Sequence, residues 1–301
     1  MNDRQFAKLA DDINSALTEF ATSLGGPPDL QAACNYVLLS PGKRVRGVLC
    51  CLTSEASGSD AAAGLPYAVA IEAVHAASLI LDDLPAMDDA ATRRGKPSAH
   101  AEFGEATAIL AAIALLNGAY AHLASQATPS SDVGSTAGVA VDLLTRAVGG
   151  LGLVGGQMRD ISSTGRTLDG LVQLHGEKTG ALFAAALALG TLAGGHRRAG
   201  THDVIWACGH NLGVAFQGYD DLLDVFAEAS TVGKPVGLDQ AKTTLATLMS
   251  RSDAEIWCYD HLSRAVATID EQFGAKTRLA HYIDGLHAAL TAPLTKQAKT
   301  G

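Results

Sequence analysis

The fold is decided by the stretch PYAVAIEAVHAASLILDDLPAMD, residues 66–88, which is apolar on nearly every side before it ends in aspartates. Its apolar residues do not alternate with polar ones as in a half-buried strand, and a helix that is apolar all round belongs inside a bundle. We therefore expect a central helix over about Pro66–Leu84. This helix would bring the carboxylates of Asp82, Asp83 and Asp88 to one end of the bundle.

A second segment of the same character covers about His202–Phe226 and carries Asp220, Asp221 and Asp224. Around these two segments, other apolar-periodic stretches of about 12–27 residues alternate with short breaks rich in glycine and proline. No stretch has period-two alternation long enough to indicate a strand. The sequence thus predicts an all-α bundle of about ten or more helices around a central cavity, in a single domain that spans residues 1–301.

Each aspartate cluster lies between apolar residues, where ionised carboxylates are costly unless positive charge compensates them. The second cluster places its carboxylates three or four residues apart, on one helix face. Asp82 and Asp88 would point about 240° apart on an unbroken helix, so we expect Pro85 to end or kink the helix and turn Asp88 back. Carboxylate oxygens are ligands that Mg²⁺ prefers. The two clusters are therefore predicted to hold magnesium and to face each other at the mouth of the cavity.

Two basic stretches supply positive charge for anionic ligands: Pro41–Gly47, which opens a helix, and Arg93–Pro97, which follows the first aspartate cluster. Guanidinium groups and a helix N-terminus are favourable partners of phosphate, although solvated surface charge is the simpler interpretation of either stretch alone. For His75, which lies in an apolar run, a core histidine with satisfied hydrogen bonds is the simpler interpretation. Together these residues indicate one site that offers both metal ions and bare cations to phosphates.

Composition narrows the class of protein. Hydrophobic residues make up 48% of the 301, and the formal net charge of −9 at pH 7 argues against a general nucleic-acid binder. The five cysteines form neither a CxxC pair nor a zinc-like spacing, so reduced thiols in a cytoplasmic protein are expected. The N-terminus has no signal-peptide core. Two charge-poor stretches, Ala106–Ala121 and Thr179–Gly195, fall short of membrane-spanning length, and we expect no membrane span.

Taken in order, these motifs resemble those of the trans-isoprenyl diphosphate synthase (polyprenyl synthetase) family, from Gly42 to about Thr244. The matching residues are Gly42-Lys43-Arg44-Val45-Arg46, Glu72–His75 leading into Ser78–Asp83, Arg93–Pro97 with His100, Lys178-Thr179-Gly180, Phe216-Gln217 with Asp220–Asp224, and Gly233-Lys234-Pro235. The resemblance implies an isoprenoid synthase type I fold, a homodimer, and small-molecule diphosphate substrates. It also implies head-to-tail condensation of isopentenyl diphosphate with an allylic diphosphate.

The resemblance also assigns roles to individual residues. Isopentenyl diphosphate would be held without metal by Lys43, Arg46, His75 and Arg94. Three Mg²⁺ ions, assembled with the allylic diphosphate, would be held by Asp82, Asp88 and Asp220, supported by Asp83, Asp221 and Asp224. The allylic diphosphate would contact Arg93, Lys178, Thr179, Gln217, Lys234 and Lys242. Of these, the aspartates together with Arg93, Lys178 and Lys234 would act in catalysis.

The sequence departs from the family pattern at a few positions. Gly47 stands where the family usually has proline, a change we expect to matter little. Ala112-Ile113 replaces a common Gly-Asp pair, as in the carotenoid-pathway branch of bacterial geranylgeranyl diphosphate synthases, which is the branch that this chain resembles most. Lys242 lies in an imperfect match to the last basic motif.

Product length is predicted from the size of two side chains that precede Asp82. Ala77 and Ser78 lie about 6–7 Å before it along the helix axis, and both are small. Short-product relatives commonly carry an aromatic ring at this level. We therefore expect the C20 product, geranylgeranyl diphosphate, with C15 farnesyl diphosphate as the alternative.

Three interpretations from other classes remain open. A class I terpene cyclase shares the aspartate-rich chemistry but has no need of Lys43, Arg46 and His75. A ferritin-like di-iron protein would use Glu72 and His75 as a ligand pair, but a second Glu-x-x-His is absent. A non-catalytic helical subunit would keep both clusters without turnover. Pyrophosphate release with both substrates and Mg²⁺ separates the last of these from the enzyme.

Overall fold

The computed structural model describes residues 3–126, 136–162, 167–195, 201–226 and 243–297. Within these ranges the chain forms α-helices almost throughout, which confirms the predicted all-α class. The first helices are α1 (Asp3–Leu24), α2 (Pro28–Leu38), α3 (Val45–Ala56), α4 (Leu65–Asp82), α5 (Ala99–Phe103), α6 (Glu105–Ala124) and α7 (Thr136–Val148). The later ones are α8 (Leu153–Ser162), α9 (Leu168–His175), α10 (Ala181–Ala193), α11 (Thr201–Phe226), α12 (Leu245–Leu248), α13 (Arg251–Phe273) and α14 (Arg278–Gln297).

Three short elements complete the described part of the chain. A 3-10 turn covers Ala61–Gly64, and a π-helical turn covers Gly176–Gly180 between α9 and α10. The strands β1 (Thr92–Arg93) and β2 (Lys96–Pro97) pair antiparallel in a small hairpin. The sequence analysis did not predict this hairpin, because two residues are too few to show alternation.

The chain divides into two compact units. The first unit comprises Met1–Leu144 with Leu189–Arg197, and the second comprises Thr145–Ala188 with Arg198–Gly301. The single domain over residues 1–301, and the two aspartate clusters facing each other, stay predictions.

The core of the first unit is built on α4, which packs against α3 and α6. Twelve of the residues of α4 are buried, among them Ile71, Val74 and Ala77, as predicted for a helix that is apolar all round. The helix begins at Leu65 and ends at Asp82, close to the predicted bounds. The helix therefore places Glu72 and His75 within the apolar core, and it ends at the first aspartate cluster.

The core of the second unit is built on α11, which packs against α13. Leu171, Tyr219, Leu222, Leu245 and Cys258 form a buried apolar cluster between their helices. The sequence Ser252-Asp253-Ala254-Glu255 has the form of a capping box, which predicts a helix that starts after Ser252. This prediction is wrong, because α13 begins at Arg251, after an N-cap serine. That serine, Ser250, accepts a hydrogen bond from the N–H of Asp253 and donates one to its carboxylate. Since Ser250 satisfies these groups, the helix starts before Ser252.

Three segments of the described chain are long and apolar enough to cross a membrane by length and composition alone. They are Ala61–Asp82, Glu105–Ala124 and Thr136–Ser162, and 67% of the most apolar window of the first is buried inside the protein, against 33% for each of the others. The expected absence of a membrane span stays a prediction.

Candidate active site

The first aspartate cluster lies in a turn that follows the end of α4 in the first unit. The backbone N–H of Asp88 donates a 2.9 Å hydrogen bond to the carbonyl oxygen of Asp82, and the N–H of Asp89 donates to the carbonyl of Leu84 at 3.1 Å. The chain thus reverses at Pro85, as predicted. The main chains of Asp82 and Asp88, whose side chains would point about 240° apart on a continuous helix, are thereby brought within hydrogen-bond distance. We call residues 82–89 the acidic turn.

Asp83 differs from its neighbours in the acidic turn, because its carboxylate is buried and bound on both oxygens. Arg93 of β1 donates from Nε to Oδ2 at 2.7 Å and from Nη2 to Oδ1 at 2.6 Å. Burial opposes the charge of Arg93, yet these bonds and the charges of Asp82 and Asp88 together raise its pKa. This bidentate pair fixes Arg93 beside the acidic turn.

The predicted isopentenyl diphosphate residues also lie in the first unit. Arg46, in the first turn of α3, places Nη1 3.4 Å from Nε2 of His75 on α4. Arg94, in the tip of the β1–β2 hairpin, donates from Nη1 to the carbonyl oxygen of Pro41 at 2.9 Å. Lys43 is exposed in the loop before α3. The structure therefore brings Arg46 to His75 and Arg94 to the loop that carries Lys43.

His75 is held neutral by this environment. Burial is the largest cause that lowers the pKa of its imidazole well below the ordinary value, and Arg46, Arg94, Arg93 and Arg44 add to it. A neutral ring can accept the hydrogen bond from Arg46, which an imidazolium could not. Burial also lowers the pKa of Arg46, to about 10, so this guanidinium keeps its charge at neutral pH.

The lowered pKa of His75 predicts a loss of stability in acid. In the unfolded chain this histidine takes up a proton as the pH falls through about 6.5, whereas the folded protein resists it. The unfolded state therefore binds more protons, and the free energy of unfolding should fall as the pH drops below about 6.5. Urea unfolding at pH 7.5 and 5.5 measures the loss. His75→Gln should reduce it, and an unchanged loss would contradict this account.

In the second unit, Asp220, Asp221 and Asp224 lie in the last turns of α11, and the carboxylate of Asp221 is buried. Its Oδ2 accepts a hydrogen bond from the N–H of Leu245 at 3.1 Å and lies 3.5 Å from Nε2 of His175. Its Oδ1 accepts from Nε2 of Gln217 at 3.3 Å. Asp220 is half-buried, so it is the more accessible carboxylate of this cluster.

The contacts of Asp221 continue to the π-helical turn. The amide oxygen of Gln217 accepts a 2.9 Å hydrogen bond from the Thr179 hydroxyl, and Nζ of Lys178 lies 2.7 Å from Oδ2 of Asp160. A π-helical turn inserts a residue into a helix and is frequent at functional sites. The second unit thus brings Thr179 and Gln217 together with Asp221, whereas the ammonium of Lys178 pairs with Asp160. Sequence analysis missed His175 and Asp160, because their partners are distant in sequence or on another helix.

The structure describes the two predicted chain-length residues but not the last two predicted lysines. Ala77 and Ser78 are buried in the first unit, and the hydroxyl of Ser78 donates to the carbonyl of His75 at 2.9 Å. Lys234 and Lys242 lie outside the described residues, so their predicted contacts with the allylic substrate stay predictions.

The carboxylates of these clusters fit magnesium by donor chemistry. Within the described residues, no group of three or more histidine, cysteine, aspartate or glutamate side chains forms a complete metal site. Mg²⁺ is usually bound by only one or two carboxylates, with water and substrate phosphate oxygens in the other positions. Asp82 and Asp88 in the first unit, and Asp220 in the second, supply carboxylates suited to such a magnesium site.

Comparison with known proteins identifies the family. The profile described as polyprenyl synthetase matches residues 27–256. The chain is 39% identical over 257 residues to a farnesyl diphosphate synthase of Geobacillus stearothermophilus, covering 84% of this chain and 86% of the relative. It is 39% identical over 236 residues to a geranylgeranyl diphosphate synthase of Cyanophora paradoxa, covering 75% of each. The chain belongs to the polyprenyl synthetase family.

A solved structure of a similar protein supports the fold. It is a geranyltransferase from Helicobacter pylori complexed with magnesium and isoprenyl diphosphate, with a TM-score of 0.76 and 27% identity over 95% of this chain and 97% of that chain. Family membership confirms the prediction of an enzyme that transfers prenyl groups. The relatives include synthases of both farnesyl and geranylgeranyl diphosphate, so they do not decide the product length.

Proposed function

We propose that this polyprenyl synthetase condenses isopentenyl diphosphate head-to-tail with an allylic diphosphate, by magnesium-assisted ionisation, to form geranylgeranyl diphosphate. One observation carries the proposal. The first unit holds two different anion-binding groups: the acidic turn, whose carboxylates suit magnesium, and the cations of Lys43, Arg46 and Arg94 with the neutral His75. A reaction that ionises one diphosphate and preserves another needs both kinds of group.

In this proposal Asp82, Asp88 and Asp220, with Asp224 in support, would hold the magnesium that binds the allylic diphosphate. Magnesium held there would neutralise the negative charge that develops on the departing pyrophosphate. Arg93, held in place by Asp83, adds a guanidinium to the same leaving group. Since both oxygens of Asp83 already bind Arg93, we assign Asp83 the positioning of that arginine.

The remaining polar residues bind and orient. In the second unit, Lys178, Thr179 and Gln217 would contact the allylic diphosphate, and Asp221 orients the Gln217 amide. Lys43, Arg46, His75 and Arg94 would hold isopentenyl diphosphate without metal, so its own C–O bond is not activated. The double bond of isopentenyl diphosphate attacks the allylic carbon, and the proton lost afterwards passes to the pyrophosphate. Apolar residues around the hydrocarbon chains exclude water that would otherwise quench the cation.

Incubation of the purified protein with isopentenyl diphosphate, Mg²⁺ and C5, C10 or C15 allylic diphosphates tests this function. Pyrophosphate release and chromatography of the dephosphorylated products should show C20 chains. Release from an allylic diphosphate alone, with a cyclic product, would indicate a terpene cyclase instead. No release with any primer would indicate a non-catalytic subunit. A C15 product would favour the farnesyl diphosphate alternative, the activity named for the Geobacillus relative.

The proposed C20 product depends on the small side chains at residues 77 and 78. If the growing chain passes this level of α4, a ring at Ala77 should stop it early. Ala77→Phe should therefore shift the product from C20 to C15 or shorter, because the ring occupies the space that the longer chain needs. Product chromatography measures the shift. Ala77→Ser is the matched control and should keep the C20 product, whereas C20 chains from the Phe variant would contradict the argument.

We also propose that the enzyme is a homodimer. The exposed side of α6 in the first unit carries Ile109, Leu110 and Ile113, which are 39%, 57% and 55% exposed in the single chain. Neighbouring apolar side chains on one exposed helix face are a common feature of protein–protein interfaces. The molar mass in solution tests this part of the proposal, and a monomer at micromolar concentration would contradict it.

A further inference from the structure

Glu72 is a buried carboxylate in the middle of α4 that the proposed reaction does not use. It is 4% exposed and lies between apolar residues of the core of the first unit. A charge in such a place is costly unless hydrogen bonds and an opposite charge compensate it. The contacts that provide this compensation all involve the start of α3, which carries Arg46.

Both oxygens of Glu72 reach this segment. Oε1 accepts a 2.9 Å hydrogen bond from the backbone N–H of Gly47, and Oε2 lies 3.7 Å from Nη1 of Arg44. Arg44 is itself buried, and its guanidinium donates to Oδ1 of Asn14 at 2.7 Å and to the carbonyl oxygens of Leu38 and Ser40, each at 2.9 Å. Glu72 therefore ties α4 to the loop before α3, and Arg44 ties that loop to α1 and to the end of α2.

The backbone conformation of Arg44 is one that these contacts must stabilise. Its φ of 49° lies in the left-handed region, which costs free energy for a residue other than glycine and persists where the surroundings enforce it. Lys43 comes directly before Arg44, and Arg46 follows two residues after it. The conformation of Arg44 thus sets the direction in which these two cations leave the backbone.

The backbone N–H of Gly47 is a hydrogen-bond donor at the start of a helix. Gly47 is the third residue of α3, and the first N–H groups of a helix have no acceptor within the helix. The carboxylate of Glu72 takes up this N–H. Proline at residue 47 would have no N–H to donate; the expectation that glycine at this position matters little stays a prediction.

A second contact between α3 and α4 involves His75. Glu72 and His75 are three residues apart on α4 and therefore share one face of the helix. Glu72 binds the backbone of α3 at Gly47, while His75 contacts the side chain of the neighbouring Arg46. One pair of helices is thus held together at two adjacent points.

We propose that Glu72, the N–H of Gly47 and Arg44 form a positioning device that holds Arg46 and His75 in place to bind isopentenyl diphosphate. This inference rests on the proposed function, because it assigns Arg46 and His75 to that substrate. Glu72, Arg44 and Gly47 are positioning residues and do not touch the substrate.

Glu72→Gln tests the device. Glutamine keeps the size of the side chain and an acceptor for the N–H of Gly47, but it leaves the buried Arg44 without its counter-charge. Calorimetric titration with isopentenyl diphosphate without Mg²⁺ should give binding about tenfold weaker for this variant than for wild type, because a buried charge loses its partner. Glu102→Gln, which changes an exposed carboxylate on α5, is the control and should bind as wild type does.

Steady-state kinetics separate positioning from general damage. The KM for isopentenyl diphosphate should rise in Glu72→Gln while the KM for the allylic substrate and kcat stay within about threefold. Unchanged binding of isopentenyl diphosphate by this variant would overturn the inference, and so would an equal rise in both KM values. If Glu72→Gln does not fold, Arg44→Lys decides, since it keeps the positive charge but loses the guanidinium donors that reach Asn14 and the end of α2. Its binding should weaken in the same selective way, and unchanged binding would overturn the inference. A wild-type protein that does not bind isopentenyl diphosphate would instead refute the proposed function.

Discussion

Asp82→Asn is expected to lower kcat by about 10³-fold or more, equivalent to about 4 kcal/mol of transition-state stabilisation. Asparagine keeps the size of the side chain but removes the negative charge that holds a magnesium ion against the leaving diphosphate. The acidic turn should survive, because Asp82 closes it through its backbone carbonyl, which the substitution does not alter. Pyrophosphate release at saturating substrate and Mg²⁺ measures the loss.

Asp89→Asn is the matched control for this variant. Asp89 also lies in the acidic turn and is exposed, and its φ of 48° is one that asparagine tolerates. It has no assigned ligand role, so its kcat should stay within about threefold of wild type. If the two substitutions reduced kcat equally, the loss would reflect the total charge of the turn, and the role of Asp82 as a magnesium ligand would be wrong.

Gly213→Ala is expected to destabilise the second unit by about 3 kcal/mol. A Cβ at this position on α11 would lie 2.3 Å from Cα of Gly180 and 2.8 Å from its backbone nitrogen. Gly180 ends the π-helical turn that carries Lys178 and Thr179, so two backbones would have to separate. Activity should fall as well, because Thr179 would move away from Gln217. Urea unfolding and steady-state kinetics measure the two effects.

Gly285→Ala is expected to have the opposite effect on the stability of the same unit. A Cβ at this exposed position in α14 would have no neighbour within 4 Å, so alanine should stabilise the helix by about 0.5–1 kcal/mol. Opposite signs for the two substitutions would show that the close approach of α11 to the π-helical turn matters. Equal effects on unfolding would contradict this packing argument.

The helices were predictable because burial leaves a periodic pattern in the sequence. The helix α4 differs from its predicted bounds, Pro66–Leu84, by one or two residues at each end. The start of α13 was not predictable at the same level. Ser250 and Ser252 can each cap a helix, and only the contacts of Asp253 in the folded chain select the first.

The parts of the candidate site that follow from neighbouring residues in the sequence were predictable. The parts that depend on hydrogen bonds to residues elsewhere in the chain were not. The reversal at Pro85 follows from a rule about proline, so the approach of Asp88 to Asp82 was expected. The pairing of Asp83 with Arg93 was not, because adjacent aspartates look alike in a sequence. Glu72 was predictable as part of the family pattern and as a possible metal ligand, but not as a partner of Gly47, since that bond joins two helices through a backbone group. Backbone donors have no signature in the side-chain pattern.

The main-chain bond between residues 88 and 82 has a thermodynamic consequence. Because it forms without any ion, much of the ordering of the carboxylate-bearing segment is completed when the protein folds. Metal and diphosphate then arrive at a preorganised receptor and lose less conformational entropy on binding than a floppy loop would impose.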